Sequence, residues 1–474
     1  LEDAGAKTEL VWISDDMDPF RSVPADMPEE LANYLGLPAC SIPDFWNCHE
    51  SFTEHFENKF IQQLKTLLIE PKILLGIEMY RKGMYNEMIK LAMEKRNEIA
   101  KILNKFRKEP LPENWYPVNI ICENCGKIST TKIISYDPKS AKASYVCSEE
   151  EVLLHKKHEV KGCGFIGESS VLNGRAKLTW RVEWPARWVF LKATCEPFGK
   201  EHAAAGGSWD TGKEIVKLLG WKPVYPVIYE HFLVEGKKMS KSKGNVITVP
   251  QMLKYLKPEQ IRYWMLQGRL TIAKDIKLAQ LVPQITNEFD KAERIYFGLE
   301  TTKNKRKDQN FKRAYKLAIT KPKKSSIQIP FEILVEIAKI LPEKEQIEFA
   351  IEKLKEFGYV KKVNATIKKE IEKRLNFAKN WYEDFGKPKV IEKIELTEKE
   401  RDAVAELIKT IEIEVDGEEL QTKIFEIARL HKIKPEEFFK LIYKIILKSE
   451  AGPRLGPYII RIKDEVIKKL KEVL

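Results

Sequence analysis

The segment Lys238-Met239-Ser240-Lys241-Ser242-Lys243-Gly244-Asn245 concentrates three lysines and two hydroxyls in eight residues. A strand pattern precedes it and a helix pattern follows. A cationic, hydroxyl-rich loop in that position can wrap triphosphate oxygens and neutralise the charge of a leaving pyrophosphate. A bare Lys-x-x-Lys would read as a surface turn, but the whole pentapeptide 238–242 between a strand and a helix favours phosphate chemistry. A second group is Cys122-x-x-Cys125 with Cys147 and Cys163 downstream. Four thiolates close a tetrahedral structural Zn²⁺ site. The second pair is spread by residues 148–162, which carry His155 and His158. Cys163-Gly164 has the form of a knuckle turn, which favours Cys163 as fourth ligand over the histidines. A redox Cys-x-x-Cys is the rival reading, disfavoured by the β-like context and the extra cysteines. Cys40, Cys48 and Cys195 read as small core residues.

These groups need elements to hold them. Residues 10–14 form an apolar strand pattern, and Asp15, Asp16 and Asp18 follow it, where ligands gather in open α/β sheets. A surface turn is the alternative for these acids. Phe52, Phe56, Phe60, Leu64 and Leu67 recur at helical spacing over 50–68, and residues 85–107 repeat the pattern until Pro110 and Pro112. Residues 177–184 alternate through Leu178, Trp180, Val182 and Trp184, predicting a strand. Thr211-Gly212-Lys213-Glu214 fits a capping box opening a helix that ends near Gly220, and 224–229 is a further strand. Strands alternating with helices predict a parallel, doubly wound sheet, with the cysteine region inserted in it. Residues 303–324 hold ten Lys/Arg and one Asp, a solvated linker or a basic arm that contacts RNA. Five or six amphipathic helices follow from 330. One of them is opened by a capping box at Thr397-Glu398-Lys399-Glu400 and another by Pro435.

The pentapeptide 238–242 resembles the signature loop of class I aminoacyl-tRNA synthetases. Trp180-Arg181-Val182-Glu183-Trp184-Pro185-Ala186-Arg187-Trp188 is similar to the tryptophan-rich strand of the class I lysyl-tRNA synthetases, the archaeal type. The segments 15–21, 48–56, 196–202 and 207–214, and Gly452-Pro453-Arg454-Leu455, resemble the same family. The resemblance implies that lysine is activated by ATP, with Mg²⁺, to lysyl-adenylate and passed to tRNA(Lys). It implies that Lys238 and Lys241 bind the phosphates, assisted by Ser240 and Ser242. Trp180, His202 and Tyr229 match positions lining the lysine site, where aromatic groups can hold the stem and the ammonium. Core packing is the alternative for Trp180, and Tyr229 could equally be a core residue with a satisfied hydroxyl. Glu201 stands where class I enzymes show a shorter acid near the ATP ribose. Asp210 either caps the next helix or lies near substrate, and Asp16 is a candidate beside it.

The implied layout is a Rossmann-like α/β catalytic domain over 1–115 and 176–270, its first strand missing, with a zinc-ribbon-like insertion at 116–175. A linker with a basic arm occupies 271–329, and an all-α anticodon-binding domain occupies 330–474. Trp381, Tyr382, Arg454 and Tyr458 could stack on bases there, although core packing explains each singly. The formal charge of +12, from 82 basic and 70 acidic residues, fits a polyanionic partner. Seven cysteines, an odd number, argue against a secreted disulfide framework. No apolar run approaches the roughly 20 residues of a membrane helix. The expected protein is a cytoplasmic monomer. Residues 1–5 read as the last turn of a helix, and the family's His-Ile-Gly-His-type signature is not found, so the resemblance implies an N-terminal truncation and incomplete catalysis. A signature-lacking paralogue, or a zinc-containing tRNA-binding protein without catalysis, is the alternative.

Overall fold

The computed structural model describes residues 5–24, 27–154, 158–240, 244–319, 327–387, 394, 396–413, 416–447 and 454–474. The expected helix end at 1–4, together with His155, Lys241, Ser242, Gly452 and Pro453, lies outside the described residues. The chain divides into two compact units, Leu1–Lys379 and Asn380–Leu474.

The first unit begins with β1 (Val11–Ser14), α1 (Phe52–Thr66), β2 (Lys72–Leu75), α2 (Gly76–Arg81), α3 (Asn86–Glu94) and α4 (Arg96–Asn104). The Ser51 hydroxyl accepts from the Glu54 N–H and caps α1. The helix expected over 85–107 is thus two helices, broken at Lys95. The cysteine region follows: β3 (Val118–Ile120), β4 (Thr131–Asp137), β5 (Lys142–Cys147), β6 (Val152–Leu154), β7 (His158–Val160), β8 (Ile166–Ser170) and β9 (Ala176–Leu178). Strands β4, β5 and β8 form one antiparallel sheet, and β6 and β7 a hairpin. Antiparallel β3 and β9, with Val118 opposite Leu178, bring the two ends of the region together.

The chain returns through α5 (Trp180–Phe190), β10 (Cys195–Gly199), α6 (Ser208–Leu218), β11 (Tyr225–Tyr229), β12 (Phe232–Val234) and β13 (Lys237–Lys238). The strand expected over 177–184 is corrected here. Only Ala176–Leu178 is extended, and Trp180 opens a helix. Trp180, Trp184 and Trp188 recur every fourth residue, one stripe of a helix, and that longer period outweighs a short alternation. The first capping box is also corrected: α6 starts after Gly207, so Thr211 lies inside it and its hydroxyl donates to the Ser208 carbonyl. Among the described residues, the expected parallel sheet is found as three separate parallel pairings: β1 with β2, β10 with β11, and β12 with residues Lys274–Ile276.

Next come α7 (Val249–Leu253), α8 (Pro258–Leu266), β14 (Lys274–Ile276), α9 (Leu278–Tyr296), α10 (Lys305–Ala318), α11 (Phe331–Lys339), α12 (Gln346–Glu356) and α13 (Ala365–Trp381). The basic segment expected as a linker or arm is largely the helix α10. Ala314, Tyr315 and Ala318 on one face are buried with Tyr263 and Phe289, and that apolar stripe is enough to seat a basic helix. The sequence reading opens a C-terminal domain at 330, whereas the compact units divide after Lys379. Arg374 of α13 donates to both oxygens of Asp290 on α9 at 2.7 and 2.9 Å, and the Phe331 N–H donates to Asn287, tying these helices to the first unit.

The second unit is helical, with α14 (Glu398–Ile413), α15 (Gly417–Leu430), α16 (Pro435–Leu447), α17 (Leu455–Arg461) and α18 (Lys463–Lys471). Thr397 and Glu400 form the expected reciprocal cap, and Pro435 starts α16. Leu407, Ile424, Phe438, Ile442 and Val466 meet in one core. Among the described residues, no helix is long and apolar enough to cross a membrane.

Candidate functional site

Strands β10 and β11 run parallel with Gly199 opposite Tyr229, so both end at the same level. Lys200, Glu201 and His202 follow β10 directly. A Cβ on Gly199 would lie 2.9 Å from the Glu201 carboxylate, so glycine leaves room there for that side chain. Strands β12 and β13 form a hairpin whose turn, Glu235-Gly236, has φ of 50° and 75° at its two residues. The hairpin carries Lys238 back to Glu201, where its ammonium lies 2.7 Å from Oε1. His231 Nε2 approaches the same oxygen at 2.9 Å. The hydrogen bond from Lys238 is the main cause that holds the Glu201 carboxyl below its ordinary value. The proposed phosphate lysine and the proposed ribose acid, 37 residues apart, therefore share one point.

Asn245 was not singled out by the sequence reading. Its side chain accepts from the Ser240 N–H and donates to the Lys238 carbonyl, tying the two described sides of the loop together. Its position just after the serines and lysines was the available signal.

Trp180 on α5 stacks on Trp184 at 5.7 Å, and the His202 ring lies 6.0 Å from Trp180 and 5.4 Å from Trp184. The Trp180 indole donates to Ser208, and Tyr229 is exposed at the end of β11. Asp210 accepts from the Gly206 N–H at 3.0 Å and pairs with Lys213 at 2.9 Å, so it braces the entry to α6.

The acids after β1 hold structure together. Asp16 is buried and accepts from the Ile77 N–H at the start of α2, at 2.7 Å. Burial pushes its carboxyl up to about 7, against the pull of that hydrogen bond. Asp15 pairs with Arg187 at 2.5 Å and Asp18 with Lys177 at 2.8 Å. Lys177 and Arg187 both contact the buried Glu183. Burial raises the Glu183 carboxyl, but the two cations win and hold it at about 2.

The four predicted cysteines meet. Cys122 and Cys163 sulfurs lie 3.7 Å apart, and Cys125 and Cys147 sulfurs 3.6 Å apart. Tetrahedral Zn–S bonds of about 2.3 Å require sulfurs about 3.8 Å apart, so the spacing suits zinc. The Cys163 N–H donates to Cys147 Sγ and the Asn124 amide to Cys163 Sγ, as thiolates would favour. A Cβ on Gly162 would lie 2.4 Å from the Ser148 carbonyl and 2.7 Å from Cys147 Sγ, so only glycine lets this turn approach.

A second group was missed. Asp44, Cys48, His49 and His55 bring one ligand atom each within 4.8 Å of one another. Cys48 Sγ lies 3.1 Å from Nδ1 of both histidines. Asp44 accepts from the N–H groups of Trp46, Cys48 and His49, which order the loop before α1. Burial holds His55 below its ordinary value, leaving a neutral imidazole able to ligate. Cys48 and Cys195 are exposed, so the core reading of these two is corrected, whereas half-buried Cys40 packs against the main core. The adjacent Cys48-His49 pair, with His55 six residues on, was the signal.

The family model for tRNA synthetases class I (K) matches residues 1–321. A lysine–tRNA ligase of Thermococcus kodakarensis is 37% identical, covering 99% of this chain and 90% of its own length. Lysine–tRNA ligases of Pyrococcus horikoshii and Methanocaldococcus jannaschii are each 35% identical with the same coverage. The glutamate-tRNA synthetase structure from Elizabethkingia anophelis overlaps 91% of each chain at 13% identity, with a TM-score of 0.28, too low to compare folds. A match over two thirds of the chain, with relatives aligned along nearly all of it, establishes that this protein belongs to the class I (K) family of tRNA synthetases.

Proposed function

We propose that this protein is a lysine–tRNA ligase, joining lysine to tRNA(Lys) at the expense of ATP. The observation that carries the reading is the convergence of Lys238, Glu201, His202 and Tyr229 at the carboxyl ends of β10 and β11. Parallel α/β strands gather ligands at that end. The parallel pairs β1 with β2 and β10 with β11, each with a helix in its crossover, support a Rossmann-like catalytic layer.

The lysine carboxylate oxygen attacks the α-phosphorus of ATP, the bond to the pyrophosphate oxygen breaks, and lysyl-adenylate remains. A ribose hydroxyl at the 3′ end of tRNA then attacks the carbonyl carbon and AMP leaves. Catalysis is positioning and charge neutralisation. Lys238, Lys241, Ser240 and Ser242 serve the phosphates, with Mg²⁺ arriving on ATP. Glu201 accepts from the ribose hydroxyls. Trp180, His202 and Tyr229 hold the lysine stem and ammonium. Asp16 and Asp210 act one step back, by fixing α2 and the loop before α6. The helical residues from 380 onward read the anticodon. Among the residues that could stack on bases there, Tyr458 packs partly on the core of that unit, and Arg454 pairs with Glu418 at the surface.

Zn²⁺ at Cys122, Cys125, Cys147 and Cys163 would lock the antiparallel ribbon. A second ion at Asp44, Cys48, His49 and His55 would fix the loop that enters α1. Purified protein is expected to carry about two zinc ions, one per four-ligand group. Cys147→Ser and His55→Ala should each remove one, measured by elemental analysis. Metal-free protein with unchanged stability would refute both sites.

Lysine-dependent exchange of pyrophosphate into ATP tests the activity. Lys238→Ala should slow it by roughly a hundredfold or more, the scale of losing one preorganised charge partner. Exchange driven by glutamate and not lysine would overturn the amino-acid assignment. Tight tRNA binding without any exchange would favour a non-catalytic tRNA-binding protein.

A further inference from the structure

Behind the proposed lysine site stands a carboxylate that contacts no substrate in that reading. Glu196 lies on β10, three residues before Gly199. Its Oε1 accepts from the Trp184 indole N–H at 2.8 Å, and its Oε2 accepts from the Trp188 indole. Both indoles are almost wholly buried, at 3% and 1% exposure, so neither N–H has water as a substitute partner. A carboxylate is suited to this place because it offers two acceptors and no donor.

The consequence runs outward. Trp184 lies nearly parallel to Trp180, with 13° between the planes, and it also packs against Phe198 and His202. Trp180 has its own hydrogen bond to Ser208 and a cation–π contact with Arg187 at 5.5 Å, and its ring face rests on Trp184. The orientation of Trp184 therefore sets the surface on which Trp180 and His202 rest.

We infer that Glu196 is a positioning residue for amino-acid binding. By accepting from two buried indoles it fixes the aromatic wall that receives the lysine side chain. The inference rests on the reading of Trp180 and His202 as lysine-site residues.

Glu196→Gln is the informative variant, because it keeps the shape and loses one acceptor. The amide NH₂ then faces an indole N–H, and one tryptophan must turn. Lysine affinity, measured by calorimetry on the full protein, should fall about tenfold, the scale of one unmet buried N–H. ATP affinity should hold, and the near-ultraviolet dichroism of the tryptophans should change. Adding Trp188→Phe removes the surplus donor, so the double variant should recover part of the lysine affinity and of the spectrum. Equal weakening of lysine and ATP, or no recovery in the double variant, would indicate general damage and overturn the inference. Unchanged lysine affinity in Glu196→Gln would also overturn it, provided Trp180→Ala still weakens lysine binding. If Trp180→Ala leaves lysine binding intact as well, the lysine-site reading itself fails.

Discussion

At the residue scale, burial decides more than residue type. Asp16 and Glu201 are both carboxylates near strand ends, yet the first is buried and its carboxyl is pushed up to about 7, while the second is held below its ordinary value by Lys238. The sign for Asp16 follows directly. Its folded-state value lies above the ordinary 3.8, so the folded protein holds the proton more tightly than the unfolded chain. Its contribution is fully favourable below the ordinary value and is lost as pH rises through about 7. Asp16→Asn keeps an oxygen for the Ile77 N–H and removes the ionisation. Denaturation midpoints should therefore fall more steeply between acid and neutral pH in the parent than in Asp16→Asn. Parallel curves would contradict the assignment. That Asp16 would be an acceptor for a helix start 61 residues away was not legible in the acidic run 15–18, because only packing brings β1 beside β2.

At the element scale, period and turn geometry govern what each segment presents. In the 180–190 segment, local alternation and helical period compete. The helix wins because Trp180, Trp184 and Trp188 make one aromatic stripe, and that stripe brings two indoles to Glu196. The four-cysteine ribbon depends on a different local feature. Its second half-site approaches through Gly162, where a Cβ would meet a backbone carbonyl and a sulfur. Gly162→Ala should reduce bound zinc by about one ion per chain without touching the histidine-containing group. Retention of both ions by Gly162→Ala would show that the ribbon adapts. Helix caps were readable where both partners lie within one turn, as at Thr397 and Glu400. Thr211-x-x-Glu214 fits the same pattern but failed, because the N-cap of α6 is Gly207, four residues before Thr211.

At the scale of the whole molecule, net charge and the division into units are the features to weigh. A net charge of +12 suits a tRNA partner whose phosphates must shed counterions on binding. Affinity for tRNA(Lys), followed by fluorescence anisotropy, should fall steadily with rising salt, and a flat dependence would contradict that role. The sequence by itself singled out the lysine-rich loop at 238–245, the four cysteines and most helices, and its longer motifs carried the resemblance to the family. These rest on runs of a few residues whose chemistry or period is local. The tertiary structure alone decided that Lys238 meets Glu201, that Asp44 and His55 close a second ligand group, and that residues 330–379 pack with the first unit. Each of those depends on which surfaces are buried together. Burial is a property of the assembled chain, and no short segment encodes its own neighbours.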